Sequence, residues 1–509
     1  MRKLILLLTS VAFIASCNFA AKYKRPDLDL PDQQDLEDYS VFTQQKWWSI
    51  FNDDTLNKLE DTALSYNNDL LMAMARVDQA RADAGVVTAD SKPAVAASAA
   101  GLATGGSAAE GEAKDYSAGL AFSYELDLWG KYRNLNQAAR ARLLQSEAQR
   151  DVVRLTLTAD VAKAYFTVRT LDSQIATTQR TLDARQETVR IYKTRYENGL
   201  VGELDLRRME AERDSVQASL IELQKTLSQN ETALSVLIGG SPRQIVENKI
   251  ERGKELAEIT IVPNIPAEVP SNILENRPDI RVAEYQLVEA NANIGVARAA
   301  YFPDISLTAS GGIQSASLTD LFSGGLWNFA ANLSGPIFEG GKIKAQVEEY
   351  SAKERELVAN YQKTVQNAFK ETYDAIVANR LNRQSFNALH SQSKALNRSL
   401  DLVKKQYDAG LVSMLDVLDV ERNFLQAQID EASAMQNELN AVVAISKALG
   451  GGLTGNSADN TLQIHESADA KTKKADLDAP AETTLKGGVT ATAASGKTAE
   501  PKKADAAAK

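Results

Sequence analysis

The chain repeats itself at an offset of 211 residues, and this repeat limits what it can fold into more than any other feature. Residues 196–205 read Tyr-Glu-Asn-Gly-Leu-Val-Gly-Glu-Leu-Asp, and residues 407–416 read Tyr-Asp-Ala-Gly-Leu-Val-Ser-Met-Leu-Asp. Glu210 matches Glu421, Gln217 matches Gln428, Gly130-Lys131 match Gly341-Lys342, and Gly239-Gly240 match Gly450-Gly451. One unit of about 200 residues therefore occurs twice. A duplicated unit with matching turns suggests a pseudo-symmetric ring or tube rather than a single enzyme pocket.

The repeat also carries the helical signal. Lys131 to Glu197 and Lys342 to Asp408 each run 67 residues without a proline. At 1.5 Å per residue, each can form a helix of about 100 Å, far longer than a globular domain needs. Each run stops at a glycine, Gly199 or Gly410, as helices commonly do. A return helix of about 35 residues then ends at Gly239-Gly240 or Gly450-Gly451. In the first return run Val216, Leu220, Leu223, Leu227, Leu234 and Leu237 keep four-three spacing, with Asn230 in one seam position, which predicts coiled-coil-like packing. Two shorter helices are expected at Asp54–Ala84 and Ser271–Ala300. One short helix stacked on one return helix matches a 67-residue helix in length, so each repeat supplies two parallel columns.

Between helices, some segments alternate with period two. Tyr116, Ala118, Leu120, Phe122, Tyr124 and Leu126 are mostly large and apolar, and the residues between them are small or polar. The same pattern occurs at Ile305, Leu307, Ala309 and Ile313, and at Trp327, Phe329, Ala331, Leu333 and Ile337. A fourth, weaker strand lies near Pro93–Thr104. This is the signature of a strand with one lipid-compatible face and one wet face. The strands are expected to pair as hairpins 93–127 and 303–338, one per repeat. Tyr116, Trp129, Tyr301 and Trp327 sit near strand ends, where aromatic girdles occur. Four strands cannot close a barrel, which needs about eight, but several chains could close one together.

The first residues give an address. Arg2-Lys3 precede an apolar run, Leu4 to Ile14, that is too short to span a bilayer as a helix. Ile14-Ala15-Ser16-Cys17 then looks like a bacterial lipoprotein cleavage box, with Cys17 the only cysteine in the chain. Acylation of Cys17 would anchor the protein through several chains and leave no thiol for redox chemistry. Asn18 is compatible with export to the outer membrane. No later stretch is long and apolar enough for a transmembrane helix, so a membrane-crossing body would have to be a closed β-barrel.

Composition excludes several function classes. A net charge of −10 argues against nucleic acid as the main partner. There is no His/Cys cluster with metal spacing, no phosphate-binding glycine loop and no nucleophile elbow, so the chain reads as a passive protein without metal or cofactor. Residues 453–509 turn to Ala, Lys, Thr, Asp and Gly without periodicity and are expected to be mostly disordered.

From Cys17 to about Gly452 the chain resembles the TolC-type outer membrane factors, close to their OprM-like lipoprotein branch. The resemblance rests on Tyr23-Lys24-Arg25-Pro26, on Trp48 to Leu56, and on Asn276-Arg277-Pro278-Asp279-Ile280. It also rests on Ala290-Asn291-Ala292-Asn293-Ile294-Gly295, Ala299-Ala300-Tyr301-Phe302-Pro303, the two tip motifs and the Leu449-Gly450-Gly451 ending. It implies a mostly α, α+β fold: a homotrimer whose twelve-stranded transmembrane β-barrel, four strands per chain, continues into a coiled-coil-like helical barrel. The expected layout is a signal peptide at 1–16, a first repeat at 17–240, an equatorial segment at 241–270, a second repeat at 271–452 and the tail.

The resemblance implies a passive outer membrane channel for small molecules in a tripartite efflux pump. An inner-membrane pump of the resistance-nodulation-division type and a periplasmic adaptor would be its partners. The alternative within the same fold is the outer membrane tube of a polypeptide secretion system; a soluble periplasmic coiled-coil scaffold is a third reading. By resemblance, the adaptor docks at Gly199, Leu200 and Val201 and at Gly410, Leu411 and Val412. The periplasmic gate falls on Leu415 and Asp419, four apart on one helical face, with Asp416 as a possible second acidic ring. An acidic ring favours cations. Capping, or pairing with Arg207, Arg208 or Arg422, would be an ordinary structural use of the same aspartates.

Overall fold

The two long uninterrupted runs are helices with the bounds their sequence sets. The computed structural model describes residues 21–29, 46–104, 113–247, 249–259 and 277–451. The expectations for residues 1–16, Cys17, residues 260–276 and the tail 453–509 lie outside these. The elements are α1 (Asp54–Tyr66), α2 (Asn68–Asp90), β1 (Ala94–Thr104), β2 (Ala113–Leu126), α3 (Lys131–Glu197) and α4 (Glu203–Leu237). They continue with the short α5 (Pro242–Glu247), α6 (Pro278–Ala299), β3 (Asp304–Ser315), β4 (Gly325–Ser334), α7 (Lys342–Asp408) and α8 (Met414–Ala448). Helices α3 and α7 have 67 residues each and α4 and α8 have 35 each. No described helix is long and apolar enough to cross a membrane.

The shorter helices depart from expectation at two points. Asp54–Ala84 is two helices, broken at Asn67, whose backbone is extended (φ −65°, ψ 127°). The Asn67 side chain caps α2 by accepting from the Leu70 amide at 3.0 Å. Helix α2 then runs through Gly85 to Asp90. The described helix of the second repeat starts at Pro278, and Ser271 lies outside the described residues. Arg277 is extended because the pyrrolidine ring of Pro278 disfavours the helical region in the residue before it.

Each repeat stacks its short helix on its return helix. The Asn67 amide donates to the carbonyl of Leu237, the last residue of α4, at 2.9 Å. At the matching place Arg277 donates to the carbonyl of Ala448, the last residue of α8, at 3.0 Å. Gly239 (φ +77°) lies where any Cβ would run into the Tyr66 carbonyl, so the joint requires glycine twice over. Both columns pack along the long helices, α2 and α4 along α3, and α6 and α8 along α7.

The four strands form one antiparallel sheet in the order β1-β2-β3-β4. Both hairpins form as expected, and they join through β2 and β3. The register aligns most of the large apolar residues on one face, with Val95 beside Phe122, Phe122 beside Ala309, and Ala309 beside Phe329. Leu126, Ile305 and Leu333 follow on that face, as do Leu120, Gly311 and Trp327. Ser123, Thr308 and Ala330 align on the other. The outer edges of β1 and β4 have no partner strand among the described residues. Strand β4 ends at Ser334, before Gly335-Pro336, so Ile337 and Phe338 lie beyond it, fully exposed. At the base of the sheet Trp129 stacks on Phe302 at 4.9 Å and donates its indole N–H to the Pro303 carbonyl at 2.8 Å.

The main core lies at mid-height, where α1, the middle of α3 and the C-terminal turns of α4 and α8 converge. A 3-10 turn at Trp47–Phe51 inserts Trp47, Trp48 and Phe51 into it, and Phe51 meets Phe166 edge-on at 4.7 Å. Buried Asp53 caps α1 through the Thr55 and Leu56 amides and accepts from the Tyr165 hydroxyl at 2.6 Å. The described part of the inter-repeat segment clasps this core. Arg169 donates to the Lys254 carbonyl, and Arg252 pairs with Asp172 and Glu231.

Candidate gate and docking tips

The helix turns at the far end from the sheet have nearly the same geometry in the two repeats. Gly199 (φ +71°) and Gly410 (φ +72°) take the left-handed conformation that ends a helix in a Schellman motif. The Leu200 amide donates to the Arg195 carbonyl at 2.8 Å, and the Leu411 amide donates to the Gln406 carbonyl at 2.9 Å. This pushes Leu200 and Leu411 into solvent, 74% and 76% exposed. Each turn thus carries one exposed apolar side chain at its apex. Val201 instead packs on the tip core, and Val412 is half-buried. The exposed knobs are thus the leucines.

Under the tips is a small apolar cluster of Val189, Tyr192, Leu206, Met209 and Leu418. Leu418 belongs to α8 and the other four to α3 and α4, so the second repeat inserts a side chain into the first. The hydroxyls of Tyr192 and Tyr407 meet at 3.1 Å and tie α3 to α7.

The gate candidates lie on the first two turns of α8. Asp416 has a structural use: Ser413 is the N-cap, and Asp416 Oδ2 accepts from the Ser413 amide at 2.8 Å and its hydroxyl at 2.7 Å. These bonds close a capping box and hold the Asp416 carboxyl below the usual aspartate range. Leu415 and Asp419 are both exposed, one turn apart. Asp419 accepts from Arg422 at 3.1 Å and from Asn423 at 3.3 Å. Leu415, Asp416, Asp419 and Arg422 line a cleft of about 590 Å³ that also contains Arg208 and Glu212 of α4. Of the three expected arginine partners, Arg422 pairs with Asp419. Arg207 pairs with Glu203 and Glu210 on its own helix, and Arg208 has no ion pair among the described residues. Sequence reasoning missed Arg185 and Lys404, both bound to Glu421. The one available hint was that Glu421 recurs as Glu210.

The chain matches the outer membrane efflux protein family model over residues 59–240 and 269–451. It is 33% identical over 467 residues to the probable outer membrane lipoprotein SilC of Salmonella typhimurium, covering 89% of this chain and 99% of the relative. It is 33% identical over 497 residues to the probable efflux pump outer membrane protein TtgC of Pseudomonas putida, covering 93% of this chain and all of the relative. Among solved structures it is similar to the open-state MtrE outer membrane channel of Neisseria gonorrhoeae. That likeness has a TM-score of 0.77 at 33% identity and covers 86% of this chain and 99% of the other. The mostly helical build, with one small sheet at the end of two long hairpins, is the build of these channels. The chain belongs to the outer membrane efflux protein family, as an outer membrane channel of the TolC type that serves tripartite efflux pumps.

Proposed function

We propose that three copies of this chain close a twelve-stranded barrel in the outer membrane, continuous with a helical tube in the periplasm. The observation that carries this reading is the sheet. It has one predominantly apolar face, one face of mostly small and polar residues, and two outer edges with no partner strand among the described residues. Unpaired edges are not tolerated in lipid, and closure between chains removes them. The apolar face then meets the acyl chains, and the polar face lines a wet lumen. Lipid on Cys17 adds an anchor, and the first and second repeats each supply one hairpin and one helical pair to the wall.

Transport through such a tube is passive. A periplasmic adaptor docks at the Leu200 and Leu411 tips and connects the tube to an inner-membrane pump of the resistance-nodulation-division type. The pump supplies energy and chooses the cargo, a small molecule. Leu415 and Asp419 from three chains form the narrow closed end, where carboxylates favour cations. Asp416 supports that end as the cap of α8.

Native mass measurement of detergent-extracted full-length protein tests the assembly. The expected species is a trimer with lipid on Cys17. A lipid-free monomer that stays in solution without detergent would contradict the proposal.

A further inference from the structure

Two adjacent residues of α8 reach all three other helices of the tip bundle. Glu421 Oε2 lies 3.0 Å from Arg185 Nη1 on α3, an ion pair by distance in which Nη1 makes no hydrogen bond among the described residues, and Oε1 lies 3.0 Å from Lys404 Nζ on α7. Arg422 Nη1 lies 3.6 Å from Glu212 on α4. These contacts differ in kind. The Arg185 side chain is 3% exposed and Glu421 is 19% exposed, whereas Arg422 is 58% exposed. A guanidinium so far out of water depends on its carboxylate partner, while an exposed pair is screened and weak.

The buried pair sits beside the gate. Leu418 is held in the apolar cluster of the first repeat, Glu421 is held by Arg185, and Asp419 projects into the cleft from the turn between them. Successive helical residues are about 100° apart around the axis, so fixing positions 418 and 421 fixes where 419 points. The first repeat does not reciprocate: Glu210, the counterpart of Glu421, pairs with Arg207 on its own helix at 2.9 Å.

We infer that Glu421 is a positioning residue of the gate. Its ion pair with Arg185, together with the seat of Leu418, pins the second turn of α8 to the first repeat and sets how far Asp419 and Leu415 reach into the channel. The exposed Arg422–Glu212 contact is the one that gives first when α8 moves; the Arg185–Glu421 pair is the fixed point about which it moves. This inference rests on the gate reading of Leu415 and Asp419 given above.

The test compares single-channel conductance of purified full-length trimers of four kinds: unmodified, Asp419→Ala, Glu421→Gln, and the double variant Arg185→Met with Glu421→Met. The double variant removes both charges, so no lone buried guanidinium remains to unfold the tip. The expected result is a rise of about twofold or more in conductance for Glu421→Gln and for the double variant. Cation preference should persist in both, because Asp419 is still present. A rise in Asp419→Ala with no change in the double variant overturns the inference and leaves the gate in place. No change in any variant overturns both. A lowered melting temperature with unmodified conductance would make the pair a stabilising contact only, and also overturns the inference.

Discussion

The side-chain amide of Asn67 donates to the carbonyl of Leu237 at 2.9 Å, and so couples the start of α2 to the end of α4. The second repeat makes the same joint with another residue type, Arg277 on Ala448 at 3.0 Å. Carbonyls at a helix C-terminus lack intrahelical donors, and here each column is made continuous by a donor from the next helix. Arg277 also pairs with Asp279 and Glu371, both at 2.8 Å.

These joints predict unequal costs. Asn67→Ala removes a cap and a hydrogen bond and should cost about 2 kcal/mol. Arg277→Ala removes a buried side chain together with its bonds to the Ala448 carbonyl and to two partly exposed acids, and should cost about 3 kcal/mol. Thermal unfolding of the purified protein followed by circular dichroism would rank the two. An Arg277→Ala variant as stable as the unmodified protein would contradict the joint.

Glu60 predicts a pH dependence. It is fully buried in α1, and neither carboxylate oxygen has a hydrogen-bond partner among the described residues. Burial, with the charge of Asp61 beside it, holds its carboxyl well above the usual range. The folded chain therefore keeps a proton that the unfolded chain releases, and stability falls as pH rises above the ordinary carboxylate range. Glu60→Gln removes this loss. The variant should melt higher than the unmodified protein at pH 8, and the gap should close toward pH 4. A gap of the same size at both pH values would refute a protonated Glu60.

Asp416 and Asp419 should separate by readout. Asp416→Ala frays the first turn of α8 and leaves cation preference largely in place. The lowered Asp416 carboxyl also means that the cap contributes above the usual aspartate range and is lost as acid titrates through the lowered value. Asp419→Ala should raise conductance and weaken cation preference, and the double variant should do both. Unchanged conductance and selectivity in the double variant would remove both residues from the gate.

The tips predict loss of transport without loss of fold. Nothing lies within 4 Å of a Cβ added at Gly199 or Gly410, so the cost of replacing them is the left-handed backbone, about 1–2 kcal/mol each. Bulky residues at both positions should abolish efflux in cells while the protein still reaches the outer membrane. Normal drug resistance in that double variant would refute tip docking.

Much of the architecture was legible because it is one-dimensional. A 67-residue helix needs only unbroken propensity and a glycine stop, and Lys131–Glu197 and Lys342–Asp408 supply both. Period-two patterns located three strands and a weaker Ala- and Gly-rich signal the fourth, though Gly335-Pro336 ended β4 before Ile337. The break at Asn67 was missed because α1 and α2 read as one periodic run, and the capping signal in Tyr66-Asn67-Asn68-Asp69 is local and short. In the sequence, Asn276-Arg277-Pro278-Asp279 carries a family resemblance. Its described residues are physically a helix start and a joint. That Leu415 and Asp419 share one face of α8 follows from helical spacing. The pairs Arg185–Glu421 and Tyr192–Tyr407 join helices more than 200 residues apart in sequence, and no local pattern encodes them.

The central claim is a closed tube with an acidic end. Its most direct test is planar-bilayer conductance of the full-length, detergent-extracted protein under a salt gradient. The account predicts a small, cation-selective conductance that grows in Asp419→Ala. A protein that forms no channels, or one with a large unselective conductance unaffected by Asp419→Ala, would contradict it.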